Sequence, residues 1–345
     1  MKTYLPWLAA LPLLAHAECE MTRFQRVQAS PHVVAYEAAE GSTAVVNGNM
    51  VAIMGRDAVL LVDTGQFPSI TRRMIADIRA HTSAPVKYVV NTHWHGDHLL
   101  GNDAVKQVFP AVKFIAHSHT IEQGRKYYEN YPAGEPAELE RAAQDMRKEL
   151  LTATRDDAKT WIAKTLECVE AIAPEVPATH YVAPDTPMDT EMKIDLGGVT
   201  AVVKHIGTGN TPGDLVVWVP EDRLVASGDM VVAPTPYAGG SDLAPWVKTI
   251  TKLRAMKAAV IVPGHGAVMR DYKYVDDLEK LLITTQSQLV AMKAAGVEKK
   301  DAAEKLETSN FRKLYVTTAM RREAFRQFFV LSAIQKIWPK TPPAR

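Results

Sequence analysis

Three things are scarce in this chain. It has only two cysteines, Cys19 and Cys168, in 345 residues. Neither stands near a histidine or the other cysteine at ligand spacing, so a thiolate metal site and a disulfide-dense scaffold are both excluded. There is no excess of one charge either: 40 basic residues face 39 acidic ones, for a formal net charge of +1. Neither sign forms a run, so nucleic acid and an anionic membrane surface drop out as partners. Long apolar runs are missing as well. Past the N-terminus nothing approaches the ~18 apolar residues of a membrane-spanning helix, and no short-period repeat or low-complexity segment is present. A chain this long that is 47% hydrophobic can bury a sizeable core, in one large domain or two modest ones. The expected partner is a small-molecule substrate; oligomeric state has no signature here.

The first residues differ from the rest. Lys2 precedes an almost wholly apolar stretch at 5–14, and Ala15-His16-Ala17 has small residues where a signal peptidase cuts. The pattern predicts a secretory signal peptide over 1–17, too short to span a membrane, and so a periplasmic protein. Glu18 stands before Cys19, where a lipoprotein would carry a small residue. An oxidising compartment permits a Cys19–Cys168 disulfide without establishing it.

From His32 to Gly65 short apolar runs alternate with turn residues. Strands are predicted over 33–36, 43–46, 51–54 and 59–62, divided by Gly41, Gly48 and Gly55-Arg56-Asp57. A helix follows over 69–81, with Ile70, Met74, Ile75 and Ile78 on one face. A strand at 86–90, a helix at 99–108 and a strand at 112–116 come next. The segment 120–172 is charged and strand-poor, with helical patterning over 138–152 and 156–171. It reads as a helical insertion, either a lid over a site or plain packing. Strands return at 199–205, 215–219 and 224–226. A helix covers 243–257, and a strand at 260–262 ends in Pro263-Gly264-His265-Gly266. From Tyr272 the chain is helical to near Trp338. Meandering strands with outer helices imply sheets covered by helices.

The densest chemical signal is His93-Trp94-His95-Gly96-Asp97-His98, directly after a buried strand. Three imidazoles and a carboxylate within six residues are the ligand types that Zn²⁺ takes in a tetrahedral shell. His93 and His95 alternate and can converge on one ion, while Asp97 and His98, offset, can face a second. Gly96 removes a side chain where the turn is tight. Further ligands are expected where other strands end at the same edge. Asp229 follows a strand in Ser227-Gly228-Asp229, and His265 is flanked by Gly264 and Gly266, which permit close backbone approach. Asp63 ends another strand and is read as a carboxylate that holds the second ring nitrogen of a ligating histidine. His117 and His119 are expected to be structural or solvent-facing. Trp94 is a candidate wall of the substrate pocket, as is Tyr237 in the turn-rich segment 234–240.

In order and spacing these motifs resemble the metallo-β-lactamase superfamily, over roughly 33–266. The resemblance implies an α+β fold, an αββα sandwich with its metal site at one edge of two sheets. It implies a fold domain over 18–270 carrying the insertion at 120–172, and a C-terminal helical extension over 271–345 packed on the same domain. It also implies one or two Zn²⁺ per chain. His93 and His95 would hold one, Asp97, His98 and His265 the other, and Asp229 would bridge. One position departs from the pattern. Where the family places a third histidine for the first metal, this chain has Asn210, in Gly209-Asn210-Thr211-Pro212-Gly213-Asp214. An amide oxygen is a poorer zinc ligand than imidazole. Asn210 is expected to ligate weakly or to hydrogen-bond a metal-bound water; substitution by His205 is the third option.

Such a site lowers the pKa of a bound water toward ~7, and Asp97 is placed to orient that water or take its proton. The expectation is a zinc-dependent, β-lactamase-like hydrolase acting on a cyclic amide or ester carbonyl. A lactonase or thioesterase of the same fold is the alternative. A non-catalytic metal-binding accessory protein of a periplasmic pathway is the rival from another class.

Overall fold

A strand that is apolar on both faces is stable only when both are covered. The computed structural model describes residues 23–38, 47–240 and 242–338, and in it one cover is a second sheet and the other a layer of helices. The first sheet contains, in spatial order, β1 (Phe24–Ser30), β2 (Val33–Ala38), β3 (Met50–Met54), β4 (Val59–Val62), β5 (Val86–Val90), β6 (Lys113–Ala116) and β7 (Thr186–Pro187). β1 to β4 pair antiparallel, and β4 to β7 pair in parallel. The second sheet contains β8 (Glu191–Asp195), β9 (Thr200–Lys204), β10 (Val216–Val219), β11 (Leu224–Val232) and β12 (Val260–His265), again neighbours in chain order. Only its last pair, β11 with β12, is parallel.

The alternation of side chains along each strand sorts them into three apolar layers. Leu60 and Val62 of β4 point between the sheets and meet Val51, Ile53, Val203, Val217 and Val262. Val59 and Leu61 point outward, with Val34 and Met50, onto Ile70, Met74 and Ile78 of the helix Pro68–His81. On the far side, Val216, Val225 and Ile261 meet Trp246 and Ile250 of the helix Leu243–Ala255 and Leu278 and Leu281 of the helix Lys273–Ala294. The order of layers is therefore helix, sheet, sheet, helix, the sandwich that the motif order implied.

Beyond β6 come helices Ser118–Tyr128, Glu135–Thr152 and Asp156–Ile172. Ala143, Cys168, Val169 and Ile172 of the last two join the outer layer of the first sheet. Cys168 is buried and disulfide-bonded. The other cysteine, Cys19, lies outside the described residues, as do the expected signal peptide at 1–17 and the expected strand at 43–46. The C-terminal run returns to the second sheet through a π-helical turn, Phe325–Leu331, whose Phe325 and Phe329 pack in the outer layer. No helix among the described residues is long and apolar enough to cross a membrane.

Two differences from the sequence-based expectation have a local cause. The helix expected over 99–108 is two pieces, Gly96–Leu99 and Asn102–Val108, with Gly101 between them. A Cβ at Gly101 would lie 2.1 Å from the Thr64 carbonyl oxygen, so this corner is pressed against the end of β4. The strand expected over 224–226 continues to Val232. Its pairing with β12 slips at Gly228, whose φ is +50°. A bulge of this kind re-aims side chains without ending the strand, and the next residue is Asp229.

Trp246 is the largest fully buried side chain, and its Nε1–H donates to the Met230 carbonyl at 3.0 Å. Trp246→Ala is expected to cost about 3–5 kcal/mol of stability. The check is a lower urea midpoint with unchanged far-UV circular dichroism in native buffer.

Candidate metal centre

The candidate ligands all leave one edge of the sandwich. The chain emerges from β5, passes Asn91 and Thr92, bends at His93 and Trp94, and is extended at His95 (φ −66°, ψ 145°) before a single helical turn begins at Gly96. His93 and His95 therefore precede the turn, and Asp97 and His98 lie on it. The neighbouring parallel strand, β4, delivers Asp63, which sits at φ +59°, a conformation that a non-glycine residue adopts at a cost. What holds it there is a set of three hydrogen bonds. Its carboxylate accepts from Thr92 N–H, from Thr92 Oγ1 and from His98 Nδ1, each at 2.8 Å. With Nδ1–H committed to Asp63, His98 presents Nε2 to the centre.

Four acceptor atoms converge there: Asp97 Oδ2, His98 Nε2, His265 Nε2 and Asp229 Oδ1. His98 Nε2 lies 3.4 Å from Asp97, 3.3 Å from His265 and 3.2 Å from Asp229. His265 Nε2 lies 3.2 Å from Asp97 and 3.4 Å from Asp229. Asp97, His98 and His265 thus bring three ligand atoms within 3.4 Å of one another, a triangle that can close on one ion at Zn–N and Zn–O bond lengths of about 2.0–2.2 Å, with Asp229 Oδ1 beside both imidazoles. Glycine makes the convergence possible: a Cβ at Gly264 would lie 2.0 Å from Asp229 Oδ1, and one at Gly48 would lie 2.5 Å from the His98 ring.

The electrostatics call for a cation at that point. Burial pulls the His98 pKa down, yet the charges of Asp229, Asp97 and Asp63 carry it well above the usual imidazole value. His265 is pushed up to about 9, burial again being outweighed by Asp229 and Asp97. Burial would raise both carboxylates, but His98 and His265 hold Asp97 and Asp229 well below the ordinary range. A divalent ion held by these residues would supply the same positive charge in place of those protons.

The second group is His93, His98 and Asp229. His93 Nε2 lies 3.6 Å from Asp229 Oδ2 and 2.9 Å from His95 Nδ1. Burial lowers the pKa of both His93 and His95, which leaves them neutral and able to ligate. Asn210 is fully buried beside them. Its Nδ2 donates to Asp229 Oδ2 at 3.0 Å, and its Oδ1 has no hydrogen-bond partner. Asp214 braces the turn by accepting from the N–H of Asn210 and from the N–H and hydroxyl of Thr211. His205 is not brought to the cluster. Its Nδ1 lies 3.1 Å from the Asp214 carbonyl oxygen, and its ring packs 4.5 Å from that of His117. His117 in turn accepts the N–H of His119 and caps the helix that follows.

Trp94 and Tyr237 flank His95 on two sides, with ring centroids 4.6 and 5.9 Å away. Trp94 also stacks on Tyr127, 4.6 Å away and nearly parallel. Tyr237 borders a cavity of about 290 Å³ that has His95, Asp97, Asp229 and His265 on its floor. Val232, Pro234 and Thr235 line it as well, and so does Phe328, which sequence reasoning missed. Phe328 sits in the C-terminal π-helical turn, and its carbonyl accepts the Ala238 N–H at 2.9 Å. No motif marks it; only the folded chain brings it here.

Because His98 and His265 hold protons that a metal must displace, affinity should rise with pH up to about 9. For the stripped protein, calorimetry with Zn²⁺ is expected to show about 100-fold tighter binding at pH 8 than at pH 6 from the His265 proton alone. A flat profile would contradict this account of the cluster.

The sequence pattern of the metallo-beta-lactamase superfamily matches residues 43–265. Among curated proteins, the linear primary-alkylsulfatase of Pseudomonas sp. (strain ATCC 19151) is 25% identical over 246 residues, which are 65% of this chain and 42% of that enzyme. The chain thus spans less than half the length of that relative. Among solved structures, a metallo-beta-lactamase from Pontibacter korlensis superposes with a TM-score of 0.54 at 21% identity, over 76% of this chain and 99% of that one. A stereoselective inverting sec-alkylsulfatase from Pseudomonas sp. superposes with a TM-score of 0.62 at 15% identity, over 91% of this chain and 49% of that one. The two superpositions speak for the fold and the sequence match for descent: this chain belongs to the metallo-β-lactamase superfamily.

Proposed function

We propose that this chain is a metal-dependent hydrolase of a small carbonyl compound, with the reacting carbonyl over the His/Asp cluster and an apolar substituent in the adjoining cavity. One observation carries the reading: Asp97, Asp229 and His265 of the metal cluster, with His95, form the floor of a cavity walled by Val232, Pro234, Tyr237 and Phe328. A zinc ion bound there would polarise a carbonyl and bring a water to ionise near pH ~7. The remaining work falls to the chain's own groups. Asp97 stays ionised beside the cavity and can take a proton from the attacking water. Burial and the charges of Asp229 and Asp97 raise the Tyr237 pKa, so its hydroxyl stays protonated and can donate to a developing oxyanion. The apolar walls exclude water around both.

The walls also bear on substrate class. Among the described residues lining the cavity there is no lysine or arginine, the side chains best suited to gripping a carboxylate or sulfate. The reading therefore favours a neutral ester, lactone or thioester over a β-lactam, whose ring carries a carboxylate. The signal-peptide pattern at 1–17 adds a periplasmic location to the proposal. Mass spectrometry of the secreted protein is expected to find a mature N-terminus at Glu18; retention of 1–17 in that material would contradict it.

The test is a substrate panel on purified protein with added Zn²⁺, run with and without chelator. It contains nitrophenyl esters and lactones of increasing acyl length, a thioester, a chromogenic cephalosporin and an alkyl sulfate. Chelator-sensitive hydrolysis that improves with acyl length is expected. Phe328→Ala should raise KM for the longest substrate about tenfold, the scale of a lost apolar contact, and leave the shortest within about twofold. Turnover of the cephalosporin alone would restore the β-lactam reading. No turnover anywhere would favour the non-catalytic metal-binding alternative.

A further inference from the structure

We infer that the two metal positions are unequal by construction. Asp97, His98, His265 and Asp229 hold one ion tightly, whereas His93 and His95 hold a second weakly and exchangeably, because Asn210 acts as a hydrogen-bond donor to Asp229 and not as a ligand. The inference rests on the metal-centre reading above, and it concerns how this chain departs from two equivalent sites.

The two oxygens of Asp229 have different surroundings. Oδ1 faces the imidazoles of His98 and His265 at 3.2 and 3.4 Å. Oδ2 is the oxygen nearer His93, at 3.6 Å, and it accepts the Asn210 amide hydrogen at 3.0 Å. The orientation of that amide follows from chemistry. Turned over, it would set its own oxygen against the carboxylate, two acceptors in contact and no donor. Asn210 therefore points N–H groups, which have no lone pair to give, toward the carboxylate between the sites. Its oxygen lies on the other side, against Gly240, where a Cβ would sit 1.9 Å away. Both residues of the turn that sets this direction, Asn210 and Thr211, are tied to Asp214 at 2.6–2.8 Å.

The two positions compete for shared ligands, since His98 lies in both groups. At one, Asp97, His98 and His265 bring three ligand atoms within 3.4 Å of one another, and the Asp229 oxygen that no amide engages lies beside both imidazoles. The other has two imidazoles and a carboxylate oxygen already engaged by a donor, which leaves coordination positions open, as in sites where water and substrate enter. The tight ion fixes Asp97 and Asp229, while occupancy of the open position follows the free metal concentration.

The test uses the full mature chain and counts metal independently of turnover. After exhaustive dialysis against metal-free buffer, elemental analysis is expected to find one equivalent of zinc. Calorimetry should then show a second equivalent binding at least about 100-fold more weakly. His95→Ala should keep the first equivalent and lose the second, and His265→Ala should lose the first. Asn210→His should raise the retained zinc to two equivalents, because an imidazole replaces the donor. If that variant does not fold, the His95 and His265 pair decides. Two equivalents retained by the unaltered chain, none retained, or one that His95→Ala removes and His265→Ala spares, would overturn the inference. A silent substrate panel with this stoichiometry intact would remove only the hydrolase reading.

Discussion

Three carboxylates, Asp63, Asp97 and Asp229, crowd around one imidazole, His98, at the edge of the sandwich, and much of the architecture answers to that concentration of charge. Taking carboxylates out of water costs several kcal/mol each unless partners compensate. Here His98 meets Asp63 with one nitrogen and Asp97 and Asp229 with the other. Thr92 supplies two more donors to Asp63, and Asn210 supplies one to Asp229. The strained backbone at Asp63 and the bulge at Gly228 are local costs of bringing these groups together. The three apolar layers offset them, which is why the cluster sits at the end of fully covered strands and not on a free loop.

The parallel pairs make this edge. β4 and β5 run side by side, as do β11 and β12, so the C-terminal ends of neighbouring strands open toward the same place. Asp63, the His93–His98 turn, Asp229 and His265 are far apart in sequence and adjacent in space for that reason. Each follows a run of buried apolar residues that places its strand in the sandwich, so a ligand is found by the strand before it, and Asp63, His93, His98 and Asp229 are themselves buried.

That rule explains what could be read in the sequence. The His93–His98 segment was legible because six consecutive residues carry the whole signal. Asp63, Asp229 and His265 were legible from the strands before them, and most of the central strands from their apolar runs. Edge strands were not: β1 and β8 mix apolar with charged and polar residues, because an edge has one neighbour and is held largely by backbone hydrogen bonds. The extent of β11 was not, since Ser227-Gly228-Asp229 reads as a turn and only pairing with β12 carries it onward. Asn210 stood out as a change of residue type, but the direction of its amide is set by a carboxylate 19 residues away and by the Gly240 backbone. Phe328 had no local signal at all.

The link between Ala238 N–H and the Phe328 carbonyl divides labour along the chain. Every candidate ligand and its bracing carboxylate lie between Asp63 and His265, whereas one wall of the cavity is contributed by a turn near the C-terminus. The two parts can diversify at different rates. Drift in the tail can reshape which molecules fit while the ligand set stays untouched, so relatives of this chain that share every metal motif can still differ in diet.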